Sequence, residues 1–411
     1  MRLLHTSDWH LGRTLHGADL APAHRAWVDH LVQVVREEQV DAVLLSGDVF
    51  DRAIAPAEAV ELWDDAVARV TDAGAALVVS SGNHDSAVRL GTHGRLLARA
   101  GVHVRTSPDR LLDPVLLPDV HGTVAVWPVP FLEPTLTGPG LARASAPGVP
   151  ALGPVHPSDP AGVATVRGQA GAVGRACDLL RGAATAAGHG RDVVMAHTWA
   201  GGLERTDLSD SERDIGAATT VGTLDRVPLE AFDGFSYVAL GHLHGRRTVR
   251  EHVRYSGSPV AFSFSERAHR KGSWLVDLDA AGVADVRWVD APVLRGLTQL
   301  TGPLEQLLAD PAHAAAEGDW VKAVLTDAVR PTEAMARLRT RFPHALTLEH
   351  APSGATGRSA LGYAERLRSA PDDLAVVLGF VEHVRGTAAG TTEREVLADA
   401  LEAARVQVGA G

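Results

Sequence analysis

The sequence predicts an α/β protein: a two-sheet β-sandwich flanked by helices, followed by a small α/β unit and a closing helix pair. Three observations carry that expectation. Short apolar runs alternate with amphipathic stretches through the first half of the chain, the pattern of βαβ crossovers in a sheet covered by helices on both faces. After Gly245 the pattern changes to short alternating strands, which suggest a second, more antiparallel sheet packed on the first. Beyond Asp290-Ala291-Pro292 it becomes strand, helix, strand, and ends in two apolar-striped helices.

In chain order, Leu3 to Thr6 reads as a strand, Ala23 to Glu38 as an amphipathic helix and Asp41 to Ser46 as a strand. Pro56 to Thr71 reads as a helix with Pro56 at its start, Ala76 to Val79 as a buried strand, and a further helix follows the Gly82 loop. Val124 to Trp127 is another strand. Residues 134 to 167 are rich in Pro, Gly and Ala without a periodic apolar face, and are expected to form a long surface loop. Helix resumes over Gly171 to Ala187, then a strand from Val193 to Met195 and another from Tyr237 to Leu240. Thr248 to Arg254, Ser273 to Asp279 and Val283 to Trp288 are the alternating strands of the second sheet. Trp320 to Leu325, Pro331 to Arg341 and Ala345 to Leu348 form the small unit. Asp373 to Val384 and Glu393 to Val406 are the terminal helices, with Thr392 and Glu395 fitting a capping box. The expected domains are residues 1–290, 291–370 and 371–411.

The chain has 411 residues, 45% hydrophobic and 22% charged, which is ordinary globular material for two or three domains. It opens Met1-Arg2-Leu3-Leu4 and reaches His5 and Asp8 at once, without the apolar core of a secretory signal, and no stretch is long enough to span a bilayer. A cytoplasmic location is expected. The single cysteine, Cys177, excludes an internal disulfide and a thiolate zinc cluster, and its Ala-rich surroundings suggest a small buried thiol. A net charge of -11 argues against a protein that coats nucleic acid by bulk attraction, though not against a local basic track.

Five clusters carry chemistry: Asp8-Trp9-His10, Gly47-Asp48-Val49-Phe50-Asp51, Gly82-Asn83-His84-Asp85, Ala196-His197 and Gly241-His242-Leu243-His244. Each follows an apolar strand-like run, and strand tips of one parallel sheet share an edge, so the five are expected to converge. An Asp and a His two apart on a strand point the same way, so Asp8 and His10 can grip one cation. Asp48 has two oxygens with which to bridge two cations; Asn83 adds a neutral oxygen, and His197, His242 and His244 add imidazole nitrogens. This mixed set suits manganese or iron, with zinc open. Two cations about 3.5–4 Å apart can clamp both oxygens of an in-line phosphoryl displacement, leaving His84 free to stabilise the transition state or protonate the leaving oxygen and Asp85 or Asp51 to orient an imidazole. No Gly-x-Ser-x-Gly elbow and no Walker A pattern is present, so a serine hydrolase or intrinsic ATPase finds no support.

The order Asp-x-His, Gly-Asp-x-x-Asp, Gly-Asn-His-Asp, His and Gly-His-x-His resembles the calcineurin-like metallophosphoesterases. Within them, His5 through Gly12, Ser209-Asp210-Ser211-Glu212-Arg213, Tyr255-Ser256-Gly257-Ser258-Pro259 and Ser263-Phe264-Ser265-Glu266 leading to Lys271-Gly272 are similar to the SbcD nuclease subunits of bacterial DNA repair complexes. The resemblance implies one metal on Asp8, His10 and His244, the other on Asn83, His197 and His242, and Asp48 bridging them. It implies His84 as the catalytic histidine and two Mn2+ ions as cofactors, with Mg or Fe as alternatives. It further implies DNA as substrate, cut by a 3′–5′ exonuclease on duplex ends and an endonuclease on single strands or hairpins during double-strand break processing. The implied partners are a second copy of the chain and an SbcC-like SMC-family ATPase; the cap would contact DNA, the terminal helices would dock on the ATPase, and the location would be nucleoid-associated. Arg13, Arg52, Arg89, Arg246 and Arg247 adjoin the motifs as candidate phosphate contacts. A small-substrate metallophosphoesterase would end soon after Asp290, and a metal-dead scaffold would have lost ligands; the sequence does neither.

Overall fold

Strand β1 (Arg2–Thr6) is buried on both faces from Leu3 onward, as a central strand of a covered sheet must be. After a small hairpin, β2 (Thr14–Leu15) and β3 (Ala18–Asp19), helix α1 (Ala21–Glu37) turns His24, Trp27, Val28, Leu31, Val32 and Val35 inward at alternating spacings of three and one, and returns the chain to β4 (Ala42–Ser46). Helix α2 (Ala57–Asp72), preceded by Pro56 in an extended conformation, leads to β5 (Ala76–Ser80). The short α3 (Ala87–Leu90) and α4 (Gly94–Leu97) lead to β6 (Val102–Arg105). The register Thr6 with Leu45 and Ser46 with Ser80 ends β1, β4 and β5 at one edge.

The second sheet begins with β7 (Val115–Asp119) and β8 (Gly122–Val129). Helices α5 (Pro134–Arg143) and α6 (Gly168–Ala187) follow, then β9 (Asp192–His197), β10 (Tyr237–Gly241), β11 (Arg247–Arg250) and β12 (Val253–Tyr255). Its order is β11-β12-β10-β9-β8-β7, with the four central strands parallel. Strands β13 (Gly272–Leu278) and β14 (Val283–Asp290) complete the first sheet, whose order is β14-β13-β1-β4-β5-β6. Leu3, Ala42, Leu44 and Val78 of the first sheet pack on Val124, Val126, Val193, Met195 and Ala239 of the second, and this shared apolar layer makes the sandwich. On the outer face of the second sheet, Ala172, Val173, Ala176, Cys177 and Leu180 of α6 meet Ala125, Val194, Ala196 and Val238. Burial pushes the Cys177 thiol up to about 12, so it is inert packing material.

The sandwich is therefore as expected, but three assignments change. The strand expected over Thr248 to Arg254 is two antiparallel strands turning at Glu251-His252. Strands β13 and β14 do not build the second sheet; β13 pairs antiparallel with β1, His5 opposite Trp274, because that edge of β1 is otherwise open. Part of the Pro/Gly/Ala-rich insert is helix α5, which buries Leu141 beside α6 although it carries Pro139.

The computed structural model describes residues 1–152, 166, 168–201, 210, 226–352, 372–385 and 388–409. Most of the expected Ser209-to-Arg213 motif and residues 153–165 and 167 of the insert lie outside them. The chain divides into two compact units, residues 1–298 with 318–320, and 299–317 with 321–411. The second holds a three-stranded sheet in the order β15 (Leu297–Gly302), β16 (Trp320–Leu325), β17 (Ala345–His350), covered by α7 (Leu304–Ala309) and α8 (Ala334–Arg341) through Leu300, Leu304, Leu307, Leu338 and Phe342. Strand β15 and helix α7 were not expected from the sequence. Helices α9 (Asp373–Arg385) and α10 (Thr391–Gly409) pair through Arg385 and Glu393. Because α10 starts at Thr391, the residue that reaches back to the N-terminal N–H, that of Gly390 at 2.8 Å, is Glu393 rather than Glu395. Among the described residues no helix is long and apolar enough to cross a membrane.

Candidate metal centre

Strand β1 ends at Thr6, so Asp8 and His10 do not converge by strand alternation. Both lie in left-handed backbone, at φ 54° and 45°, as do Asp48 at 52° and His242 at 102°. Such conformations cost roughly 1–3 kcal/mol each and persist where surrounding bonds over-determine them. Here the first loop zips onto the second: Asp8 N–H donates to the Gly47 carbonyl at 3.1 Å, His10 N–H to that of Asp48 at 3.0 Å and Leu11 N–H to that of Val49 at 2.9 Å. Trp9, between the two site residues, anchors the loop. It is fully buried, donates Nε1–H to Thr6 Oγ1 at 3.0 Å and stands edge-to-face on Trp27 of α1 and Trp63 of α2.

The Gly-Asp and Gly-Asn-His-Asp loops need their glycines. Gly47 has φ +85°, and a side chain there would run into the His197 ring; one on Gly82 would occupy the place of the Asp48 carboxylate. Asp48 Oδ1 accepts from the His84 N–H at 2.9 Å. Asp85 does not orient an imidazole. Its carboxylate accepts the N–H groups of Gly82, Phe50 and Val49 at 2.9, 3.0 and 3.2 Å, lashing the two loops together. Asp51 faces two imidazoles: its carbonyl accepts from His84 Nδ1 at 2.8 Å, while its carboxylate lies 3.6 Å from His10 Nδ1 and meets Arg13 at 3.1 Å.

The histidines of the second half come from the other sheet, so the site spans both sheets of the sandwich rather than one shared edge. The register of Gly241 with His197 brings β9 and β10 to a common end facing β1 and β4. His197 Nε2 lies 3.0 Å from Asn83 Oδ1 and 3.2 Å from Asp48 Oδ2, with Nδ1 on the Ser46 carbonyl at 2.9 Å. His242 Nδ1 is 3.3 Å from Asn83 Oδ1, and its N–H reaches both oxygens of Asp8 at 3.1 Å. His244 Nε2 is 3.2 Å from His10 Nε2, which is 3.6 Å from Asp48 Oδ2. All eight expected site residues thus meet. Donor atoms fall in three close groups: Asp8, His10 and His244; Asp8, Asp48 and His197; and His10, Asp48 and His84.

This donor set fits divalent cations. Burial pushes Asp8 up to about 6, with the nearby Asp48 charge adding to it against His197 and His244. Asp48 goes the other way: burial alone would raise it, but His197, His10 and His84 hold it well below the usual carboxylate range. Burial disfavours the charge on Asp8, and Asp48 keeps its own only through the imidazoles around it; divalent charge at the site would favour the ionised form of both. Burial also drives His10 well below its ordinary value, leaving it neutral and able to ligate, and its buried Nδ1 has no hydrogen-bond partner.

Sequence reasoning noticed Glu266 and Lys271 only as family motifs; here both are buried beside His244. Ser7, likewise within a family motif and without an assigned role, bonds Asp8 and Ser256 through its hydroxyl. Among the arginines, Arg13 is paired with Asp51, Arg52 is 80% exposed and Arg89 is exposed. Arg246 is half-buried on two tryptophan rings, 4.7 Å from the Trp288 centroid and 5.6 Å from that of Trp274.

A family model described as calcineurin-like phosphoesterase matches residues 1–129, which carry Asp8, His10, Asp48, Asn83 and His84. A second, the type 5 capsule protein repressor C-terminal domain, matches residues 293–384. The SbcD subunit of the SbcCD nuclease of Escherichia coli K12 is 32% identical over 318 residues, 75% of this chain and 73% of its own. The chain belongs to the SbcD family. The SbcD protein of Rhodobacter capsulatus is 37% identical over 325 residues, 75% of each chain, and that of Bacillus subtilis is 32% identical over 282 residues, 67% and 66%. The SbcD family thus accounts for both the sandwich motifs and the following unit.

Proposed function

We propose that this protein is a manganese-dependent DNA nuclease subunit, acting on duplex ends as a 3′–5′ exonuclease and on single strands and hairpins as an endonuclease. The observation that supports this most is the meeting of Asp8, His10, Asp48, Asn83, His84, His197, His242 and His244 at the joint edge of two sheets, in a chain of the SbcD family. In this reading Asp8, His10 and His244 hold one ion, Asn83, His197 and His242 hold the other, and Asp48 lies between. When bound, two divalent ions supply charge that draws phosphate in and acidifies the attacking water.

His84 donates its Nδ1–H to the Asp51 carbonyl in a hydrogen bond, so in the imidazolium form Nε2, buried and without a hydrogen-bond partner, carries the second proton and can pass it to the leaving oxygen. As the oxygen of water bonds to phosphorus and the water's proton passes to solvent, the phosphorus–oxygen bond to the leaving nucleotide breaks; the leaving oxygen takes the Nε2 proton, and the His84 ring is left neutral. Arg246, two residues from His244, is placed for a neighbouring phosphate. The domains are read as 1–290 for hydrolysis, 291–370 as a DNA-contacting cap and 371–411 as the docking segment for an SbcC-like ATPase. That the relatives are subunits of a nuclease called SbcCD supports that partner. Phe380, Val384 and Val396, 53%, 67% and 61% exposed on the terminal helices, support the docking face.

The test is digestion of end-labelled linear duplex DNA with and without Mn2+, alongside a chromogenic bis-phosphodiester. Manganese-dependent DNA degradation, stronger with the ATPase partner and ATP, is expected. Cleavage of the small ester with DNA left intact even beside the partner would reduce the reading to a small-substrate phosphodiesterase.

A further inference from the structure

Glu266 closes a short turn, Phe264–Glu266, and is 1% exposed. Its two oxygens serve different groups. Oε1 lies 3.2 Å from His244 Nδ1, while Oε2 takes Lys271 Nζ at 2.6 Å and the Phe262 N–H at 3.2 Å. Lys271, 7% exposed, donates also to the His244 carbonyl at 2.9 Å and to Ser258 Oγ at 2.8 Å. The ammonium therefore holds the backbone of His244 and the carboxylate holds its ring. On the opposite side of that ring, Nε2 faces His10 Nε2 at 3.2 Å, in the group that includes Asp8.

Packing alone does not call for this pair. Burying two ions carries a desolvation penalty that their attraction must offset, and apolar residues of similar volume often do as well or better. Because Lys271 cancels most of the charge on Glu266, the effect on His244 is mainly one of orientation. A neutral imidazole has one protonated nitrogen, and only the other can ligate. A carboxylate oxygen at Nδ1 keeps the proton there and turns the Nε2 lone pair inward. His197 is fixed by a different acceptor, the Ser46 carbonyl at 2.9 Å from its Nδ1.

The geometry points to the Glu266–Lys271 ion pair as a positioning device for His244, which holds its ring and tautomer for the cation shared with Asp8 and His10. This rests on the two-ion reading above. Its test is Mn2+ binding to the metal-free full chain, by calorimetry and electron paramagnetic resonance, with no turnover needed. Glu266→Leu/Lys271→Met removes both charges together, leaving no lone buried ion. It is expected to weaken one of two ions by about 10–100-fold and spare the other. Glu266→Gln/Lys271→Met keeps an acceptor oxygen at His244 and is expected to restore binding to within about threefold, which a general packing defect would not do.

Nitrogen-15 spectra of the histidine-labelled parent protein give a second readout that needs no folded variant at Glu266: His244 should be the Nδ1–H tautomer. Finding it as Nε2–H, or finding both ions bound normally in a folded leucine variant, would overturn this inference alone. A parent protein that binds no Mn2+ would overturn the two-ion reading and this one with it.

Discussion

The two sheets supply the centre with different chemistry and hold it by different means. From the first come oxygen donors, Asp8, Asp48 and Asn83, together with His10. The two aspartates and His10 lie on left-handed backbone, fastened by N–H groups that donate into neighbouring loops. From the second come His197, at the last position of β9, and His242 and His244 just past β10; His242 shares the left-handed backbone, but the other two rings are fixed by acceptors at Nδ1, the Ser46 carbonyl and Glu266. A carboxylate is ready to ligate once its backbone is placed, so the cost falls on the backbone. An imidazole must also have its proton on the right nitrogen, so it requires a partner behind the ring.

Asp48 is where the two halves meet, within 3.6 Å of His10 and 3.2 Å of His197. The largest effect is therefore expected from Asp48→Ala, which should abolish hydrolysis and lower Mn2+ stoichiometry together. His84→Ala should leave most Mn2+ binding in place while slowing hydrolysis by about 10²–10⁴-fold, the usual worth of a general acid. Calorimetry beside a phosphodiester assay separates the two, and equal metal loss in both variants would erase the distinction between ligand and acid.

Asp85 tests the oxygen side alone. Asparagine keeps its shape but presents an NH2 group where the carboxylate meets three N–H groups, so at least one donor is left unsatisfied. Asp85→Asn is expected to cost about 1–3 kcal/mol in urea unfolding of the metal-free protein. A loss below about 0.5 kcal/mol would mean the loops are held by the backbone zipper without it.

The donors were legible in the sequence because their identity is chemical and local: Asp8, Asn83 and His244 declare themselves by residue type and by the glycines around them. Their placement was less so. Two-residue spacing brings Asp8 and His10 together either by strand alternation or by a tight loop, and only the zipper to Gly47 and Asp48 chooses the loop. Strand β13 has the same alternating Trp274, Val276 and Leu278 whichever sheet it joins; its pairing with β1, more than 260 residues earlier, is a long-range choice that no local pattern encodes. Helix α5 hid behind Pro139 and two glycines because its reason to exist is Leu141 against α6. Glu266 was visible as a motif residue, but its meaning depends on His244, 22 positions away, arriving at the same place.

The smallest expected effect concerns how the sheets are joined beneath the site. His5 of β1 reaches across to β10, with Nε2 3.1 Å from the Leu240 carbonyl and Nδ1 3.0 Å from the Tyr237 hydroxyl. A carbonyl can only accept, so Nε2 carries the proton and Nδ1 accepts from the phenol; the ring is neutral. Burial holds it there, lowering His5 to about 3, with Arg254 acting the same way and the Leu240 carbonyl opposing. The unfolded chain binds a proton at His5 near pH 6.5 and the folded chain only near 3, so between these values unfolding takes up a proton. Stability should thus fall as pH drops below about 6.5, by roughly 1.4 kcal/mol per pH unit from this residue. His24, lowered to about 4 mainly by burial, adds a similar loss. Urea midpoints measured from pH 7.5 to 5 should decline less steeply in His5→Gln than in the parent, while Tyr237→Phe should lose about 1 kcal/mol at neutral pH and keep the steep decline. An unchanged acid slope in His5→Gln would mean that the two sheets are held together without this pin, by the apolar layer of Leu3, Leu44, Val126 and Met195 alone.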